Sequence, residues 1–84
     1  MIDFSGQVAV VTGGAQGIGR AVCDEFRKGG ARIVIWDQDA ELARKSASEL
    51  GAESAAVEVD VADWGSVCEA RDATLDAKGR IDIL

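Results

Sequence analysis

The sequence predicts an α/β fold: the amino-terminal half of a doubly wound parallel sheet, running β-α-β-α-β-α-β. Three observations carry that expectation. Short apolar runs recur at residues 7–11, 31–36, 54–59 and 81–84. Between them lie longer segments whose apolar residues repeat at helical spacing. Glycine closes each of those segments, at Gly29-Gly30, Gly51 and Gly79, as it commonly does at helix ends. Helices set between short strands imply parallel pairing through right-handed crossovers. The 84 residues contain no proline, no linker and no low-complexity tract, and they allow at most one small domain, residues 1–84.

The first run, QVAVV, is a nearly continuous string of β-branched residues and alanine, as expected of a strand buried on both faces. Behind it Ile18, Ala21, Val22 and Phe26 recur at helical spacing, with Arg20, Asp24, Arg27 and Lys28 on the other side. ARIVIW forms the second strand. Asp39 suits the N-cap of the next helix, which is expected to bury Leu42, Ala43, Ala47 and Leu50 while Glu41 and Lys45 pair on its outer face. SAAVEV alternates in part, which suggests a third strand nearer the sheet edge. Asp63 then caps a helix carrying Trp64, Val67, Cys68, Arg71 and Leu75 along one side. Residues 81–84 open a fourth strand and stop inside an apolar run, so the chain is expected to be part of a longer one. Alone, half a parallel sheet would leave a strand edge and a face under-covered, and only marginal folding is expected of it.

The formal net charge of −6 argues against unspecific attraction to nucleic acid or to anionic membranes. No apolar stretch approaches the roughly 20 residues of a membrane span, and the basic start of a signal peptide is missing; a cytoplasmic protein is the default expectation. Cys23 and Cys68 have no CxxC spacing, and the sequence contains no histidine to complete a zinc site. They read as half-buried packing thiols, with no metal expected. Trp36 and Trp64 likewise read as packing residues rather than stacking platforms.

The chemistry concentrates in VVTGGAQGIG, residues 10–19, with four glycines in seven residues directly behind the first strand. In a doubly wound sheet this turn meets a helix N-terminus, where free N–H groups and glycine backbone receive a pyrophosphate. The order is Gly13-x-x-x-Gly17-x-Gly19, not G-x-G-x-x-G, and Ile18-Gly19-Arg20 stands where a P-loop requires Gly-Lys-Ser/Thr. A purely structural turn would need one or two glycines rather than four.

Thr12-Gly13-x-x-x-Gly17-x-Gly19, Asp37 at the end of the second strand, Asp60-Val61 after the third and the closing GRIDIL together resemble the short-chain dehydrogenase/reductase family over essentially the whole chain. The resemblance implies a Rossmann fold that binds a nicotinamide dinucleotide. Gly13 would make the tight turn, Gly17 would let the helix approach the pyrophosphate, and Gly19 would allow close helix–sheet packing. Gln16 and Ile18 would offer backbone contacts. Asp37 would accept from the adenosine ribose hydroxyls and repel a 2′-phosphate, and Asp60 and Val61 would bracket the adenine. Because neither Gln16 nor Gln38 is cationic, NAD is expected over NADP.

The resemblance implies hydride transfer between nicotinamide and a carbonyl or secondary alcohol, in a sugar, polyol, hydroxy acid or 3-oxoacyl substrate. It also implies a homotetramer or homodimer for the intact protein. No catalytic residue is assigned, because the family's Tyr-x-x-x-Lys has no counterpart in a sequence without tyrosine. A non-catalytic, NAD-binding sensor or structural relative and an inactive fragment are the alternative expectations.

Overall fold

The computed structural model describes residues 3–83. Strands β1 (Val8–Thr12), β2 (Arg32–Asp37) and β3 (Ala55–Glu58) alternate with helices α1 (Gly17–Lys28), α2 (Ala40–Leu50) and α3 (Trp64–Lys78). The strands pair in the order β1-β2-β3, all parallel, with Val8 opposite Arg32 and Val34 opposite Ala55. Ile83 adds a parallel bridge on the free side of β1, opposite Ala9. Of the fourth strand expected over residues 81–84, the described residues show this single bridge at Ile83 and no strand, and Leu84 lies outside them. β3 takes the outer position beside β2, as its partial alternation predicts.

The two sheet faces are covered by different helices, as right-handed crossovers require. On one face Ala9, Ile33 and Ile35 meet Cys23, Ala43, Ala47 and Leu50 of α1 and α2; on the other Val8, Val10, Val34 and Trp36 meet Val59 and Ala70. Alternate residues of β1 and β2 thus point into separate cores, and this explains their unbroken apolar runs. Asp39 caps α2 by accepting the Leu42 N–H at 3.0 Å, and Asp63 caps α3 through the Gly65 N–H at 3.0 Å.

Several expectations need correction. On α1, Cys23 is buried whereas Ile18 is 85% and Val22 37% exposed. The helix seats on the sheet through Cys23 and Phe26, and the apolar stripe beside them forms an open groove with Phe4. α3 is rotated from the expected orientation: Ala70 and Thr74 are buried and Val67 packs beside them, while Trp64 is 76% exposed. Small residues let α3 approach the sheet closely, and Trp36 then reaches Thr74, donating its indole N–H to Oγ1 at 3.1 Å. Trp36 is thus the packing residue expected, and Trp64 is not. Glu41 and Lys45 form no ion pair among the described residues; α2 instead uses Glu49, whose Oε1 lies 2.7 Å from Arg20 of α1.

Cys23 is fully buried rather than half-buried, and both cysteines are free thiols. Among the described residues no helix is long and apolar enough to cross a membrane, and no cluster of potential ligands could hold a metal ion.

Candidate dinucleotide site

The carboxyl ends of the three strands lie side by side. Two backbone bonds fix them there, from the Gly13 N–H to the Trp36 carbonyl at 2.8 Å and from the Val59 N–H to the Asp37 carbonyl at 3.0 Å. In front of these ends opens a cleft of about 430 Å³ lined by Thr12, Gly13, Trp36, Asp37, Gln38, Val59, Asp60, Val61 and Ala62. Parallel sheets bind ligands at this edge, where the crossover loops diverge.

Residues far apart in sequence meet here. Gly13, Asp37, Asp60 and Val61 share the cleft, whereas Gln16, Gly17, Ile18 and Gly19 form the start of α1 beside it.

The glycines do different work at different positions. Gly13 and Gly17 take φ of +66° and +63° with open space around them, so their backbone conformation selects glycine. Gly19 has an ordinary φ, but a Cβ there would collide with the Gly13 carbonyl and come within 3.0 Å of the Gly14 Cα. Its close packing is therefore against the loop, not against the sheet as expected. Gly14, which the spacing argument leaves unassigned, is wedged as well: a Cβ would stand 3.0 Å from Cys23 Sγ and 3.1 Å from the Val11 carbonyl.

α1 begins without a side-chain cap, since Gln16 makes no capping bond, and its first turn carries no acidic residue. The N–H groups of Gly17, Ile18 and Gly19 have no preceding turn to bond to. They present a partial positive charge that suits an anion.

Asp37 stands at the junction of loop and cleft. One carboxylate oxygen accepts the Asp39 N–H at 3.0 Å and the other the Ala15 N–H at 3.4 Å. Each oxygen has a further lone pair, so the carboxylate can hold the loop and still accept from a ligand hydroxyl. With Asp39 capping α2, Asp37 is free of that duty. Asp60 accepts the Ala62 N–H through Oδ1 at 3.0 Å, shaping the turn that exposes Val61.

Two contacts escaped the sequence reading. Arg20 is turned down onto α2, 2.7 Å from Glu49 and 3.6 Å from Asp24. This pairing holds the Glu49 carboxyl below its usual range. Ser46 of α2, only 3% exposed, donates its hydroxyl to the Ala15 carbonyl at 2.6 Å. A serine inside a helical pattern gives no signal of such a contact.

Comparison with known proteins places the fold in a family. The family model described as short chain dehydrogenase matches residues 7–84. A sorbitol dehydrogenase from Cereibacter sphaeroides is 42% identical over 96% of this chain and 32% of its own length. A D-threitol dehydrogenase from Mycolicibacterium smegmatis is 46% identical over 99% of this chain and 35% of its own. Among solved structures, the 3-ketoacyl-(acyl-carrier-protein) reductase from Brucella melitensis complexed with NADH superposes with a TM-score of 0.92 at 36% identity, over 95% of this chain and 33% of that protein. The chain thus spans about a third of the length of the relatives it matches.

Proposed function

Because the chain belongs to the short-chain dehydrogenase family, we propose that it forms the adenosine- and pyrophosphate-binding part of an NAD-dependent oxidoreductase. The observation that carries this reading is the meeting of Gly13, Asp37, Asp60 and Val61 in one cleft beside an uncapped helix start.

Each residue has a role that its chemistry supports. The N–H groups of Gly17, Ile18 and Gly19, with the Gln16 backbone, receive the pyrophosphate. Gly13 turns the chain so that these groups face the strand ends. Asp37 accepts from the ribose hydroxyls, while Asp60 and Val61 flank the adenine, the carboxylate accepting from its exocyclic amine. When bound, the cofactor supplies or accepts the hydride; this chain's residues bind and orient its adenosine end.

The preference for NAD rests on charge. A 2′-phosphate beside Asp37 would set anion against anion, and Gln38 offers no counter-charge. Arg20, the cation that follows the last glycine, is engaged by Glu49 and Asp24. The proposed reaction interconverts a carbonyl and a secondary alcohol in a small molecule. The relatives' names, for polyols and for a 3-ketoacyl thioester, fall within that class. The same reading makes the intact protein a cytoplasmic homodimer or homotetramer.

Titrating NADH and NADPH into the full-length protein by fluorescence tests the assignment. NADH is expected to bind more tightly, and Asp37→Ala to narrow the gap by weakening NADH and relieving NADPH. Equal or tighter NADPH binding by the unmodified protein refutes the NAD assignment.

A further inference from the structure

We infer that Ser46 is a positioning residue for the phosphate-binding loop, acting from α2 through the Ala15 carbonyl; the inference rests on the cofactor reading above. A serine within a helix ordinarily gives its hydroxyl to the carbonyl one turn back. Here the hydroxyl reaches across 31 residues of sequence, to the Ala15 oxygen at 2.6 Å, inside the protein.

What this bond controls follows from peptide geometry. Every peptide bond among the described residues is trans, so the C=O and N–H of one peptide point in opposite directions. Pinning the Ala15 carbonyl on α2 turns the Gln16 N–H away from α2. The preceding peptide is held in the same manner: the Gly14 carbonyl faces Cys23 Sγ at 3.8 Å, and the Ala15 N–H faces Asp37 Oδ2 at 3.4 Å. Two successive loop peptides are thereby fixed against three different elements.

Beyond them Gln16 is extended, with φ −157° and ψ 170°, and Gly17 takes φ +63°. The directions of the free N–H groups at Gly17, Ile18 and Gly19 are therefore inherited from the Ala15–Gln16 peptide. Of the three anchors, the Ser46 bond is the shortest. Without the hydroxyl, the Ala15 carbonyl would be left unpaired in a residue only 4% exposed. An unpaired buried acceptor favours rotation of its peptide towards water, and that rotation carries the Gln16 N–H with it. The effect falls on phosphate recognition: the cleft shares only Gly13 and Asp37 with the loop, and both keep their own bonds, to the Trp36 carbonyl and from the Asp39 N–H.

The test uses full-length protein and three probes: NADH, ADP-ribose and adenosine, the last followed by saturation-transfer NMR. Ser46→Ala is expected to weaken NADH and ADP-ribose about tenfold, the worth of one well-aimed hydrogen bond to a charged group, with adenosine binding unchanged. Ser46→Thr keeps the hydroxyl and is expected to recover most of the loss. Should Ser46→Ala fail to fold in thermal melts, Ser46→Cys, whose thiol is a weak donor, carries the same comparison. Unchanged ADP-ribose binding, or an equal loss for adenosine, overturns the inference while leaving the cofactor reading intact. An unmodified protein that binds none of the probes overturns the cofactor reading and this inference with it.

Discussion

Replacing Gly19 by alanine sets two physical effects against each other. Gly19 lies in the first turn of α1 with an ordinary backbone conformation, and helix propensity alone favours alanine there by about 1 kcal/mol. Against this, the new Cβ would run into the Gly13 carbonyl, 2.8 Å from its carbon and 3.0 Å from the Gly14 Cα. All of these are backbone atoms, held by the Gly13–Trp36 bond and the anchoring of Ala15, so no flexible side chain can swing aside. Overpacking of this kind costs about 1–3 kcal/mol and occasionally more, and an unyielding neighbour puts the case at the upper end. A net loss of about 1–2 kcal/mol is expected, with α1 displaced and NADH binding weakened. Gly13 provides the contrast. It has open space but φ +66°, so Gly13→Ala costs about 1–2 kcal/mol of backbone strain, and asparagine, which tolerates that region, costs less. At Gly19 the order reverses, with asparagine worse than alanine because it is larger. Urea unfolding of the four full-length variants, followed by circular dichroism alongside NADH titration, measures the order. A Gly19→Ala protein as stable as the parent, or asparagine preferred over alanine at both sites, refutes the reasoning.

Other perturbations probe the rest of the structure. Thr74→Val keeps the shape of α3 but leaves the Trp36 indole N–H without its partner at 3.1 Å; a loss of about 1–3 kcal/mol is expected, read by chemical denaturation with tryptophan fluorescence. Burial pushes the Cys23 thiol up to about 11 from 9.0, slightly eased by Arg20. A group raised on folding contributes stability that is full below pH 9.0 and declines as pH rises towards 11, so alkaline unfolding should shift to higher pH in Cys23→Ala relative to its own stability at neutral pH. Maleimide should label Cys23 slowly at pH 7 in the folded protein. The Arg80 guanidinium, doubly bonded to the Asp82 carboxylate, and the Val8 N–H hold that carboxyl below its usual value. A carboxyl lowered on folding contributes stability above 3.8 that is lost as pH falls through its folded value. Arg80→Gln should raise the Asp82 titration midpoint, measured by NMR of the side-chain carboxyl, and move acid unfolding to higher pH.

The sequence made the strand ends legible because chain geometry demanded particular residues there. Gly13 and Gly17 stand at positive φ, Asp37 ends a buried strand, and Asp39 and Asp63 cap helices whose first N–H groups need partners. The proposed site residues stand out in the sequence for the same reason: each sits at a strand end, in the loop after it or in the first turn of α1. Helix orientation was less legible. On α3, Trp64, Cys68 and Leu75 repeat at helical spacing as convincingly as Val67, Ala70 and Thr74 do. What decides between the stripes is Trp36, 38 residues earlier, whose indole needs an acceptor and room. On α1, Ile18 and Val22 advertise an apolar face, yet Gly19 and Cys23 allow the closer approach to loop and sheet. Ser46 was silent for a related reason, since its partner is a backbone carbonyl and any residue at position 15 would supply one.

The position of β1 has a consequence for how the chain is made. Its second edge is completed by a segment far along the sequence: the Val8 N–H bonds the Asp82 carboxylate, 74 residues away, while the Val8 carbonyl accepts from Asp82 and Ile83. During translation at roughly 5–20 residues per second, that edge waits on the order of 4–15 s for its partner to be synthesised. β2 arrives sooner and covers one side, but the other remains an apolar strand with unpaired N–H and C=O groups, open to pairing with any extended segment nearby. The nascent protein is therefore most exposed to misassembly between the completion of α1 and the arrival of residue 83. Folding of the first strand is gated by synthesis rather than by its own propensity, and whatever shields a growing chain has the bare edge of β1 to shield.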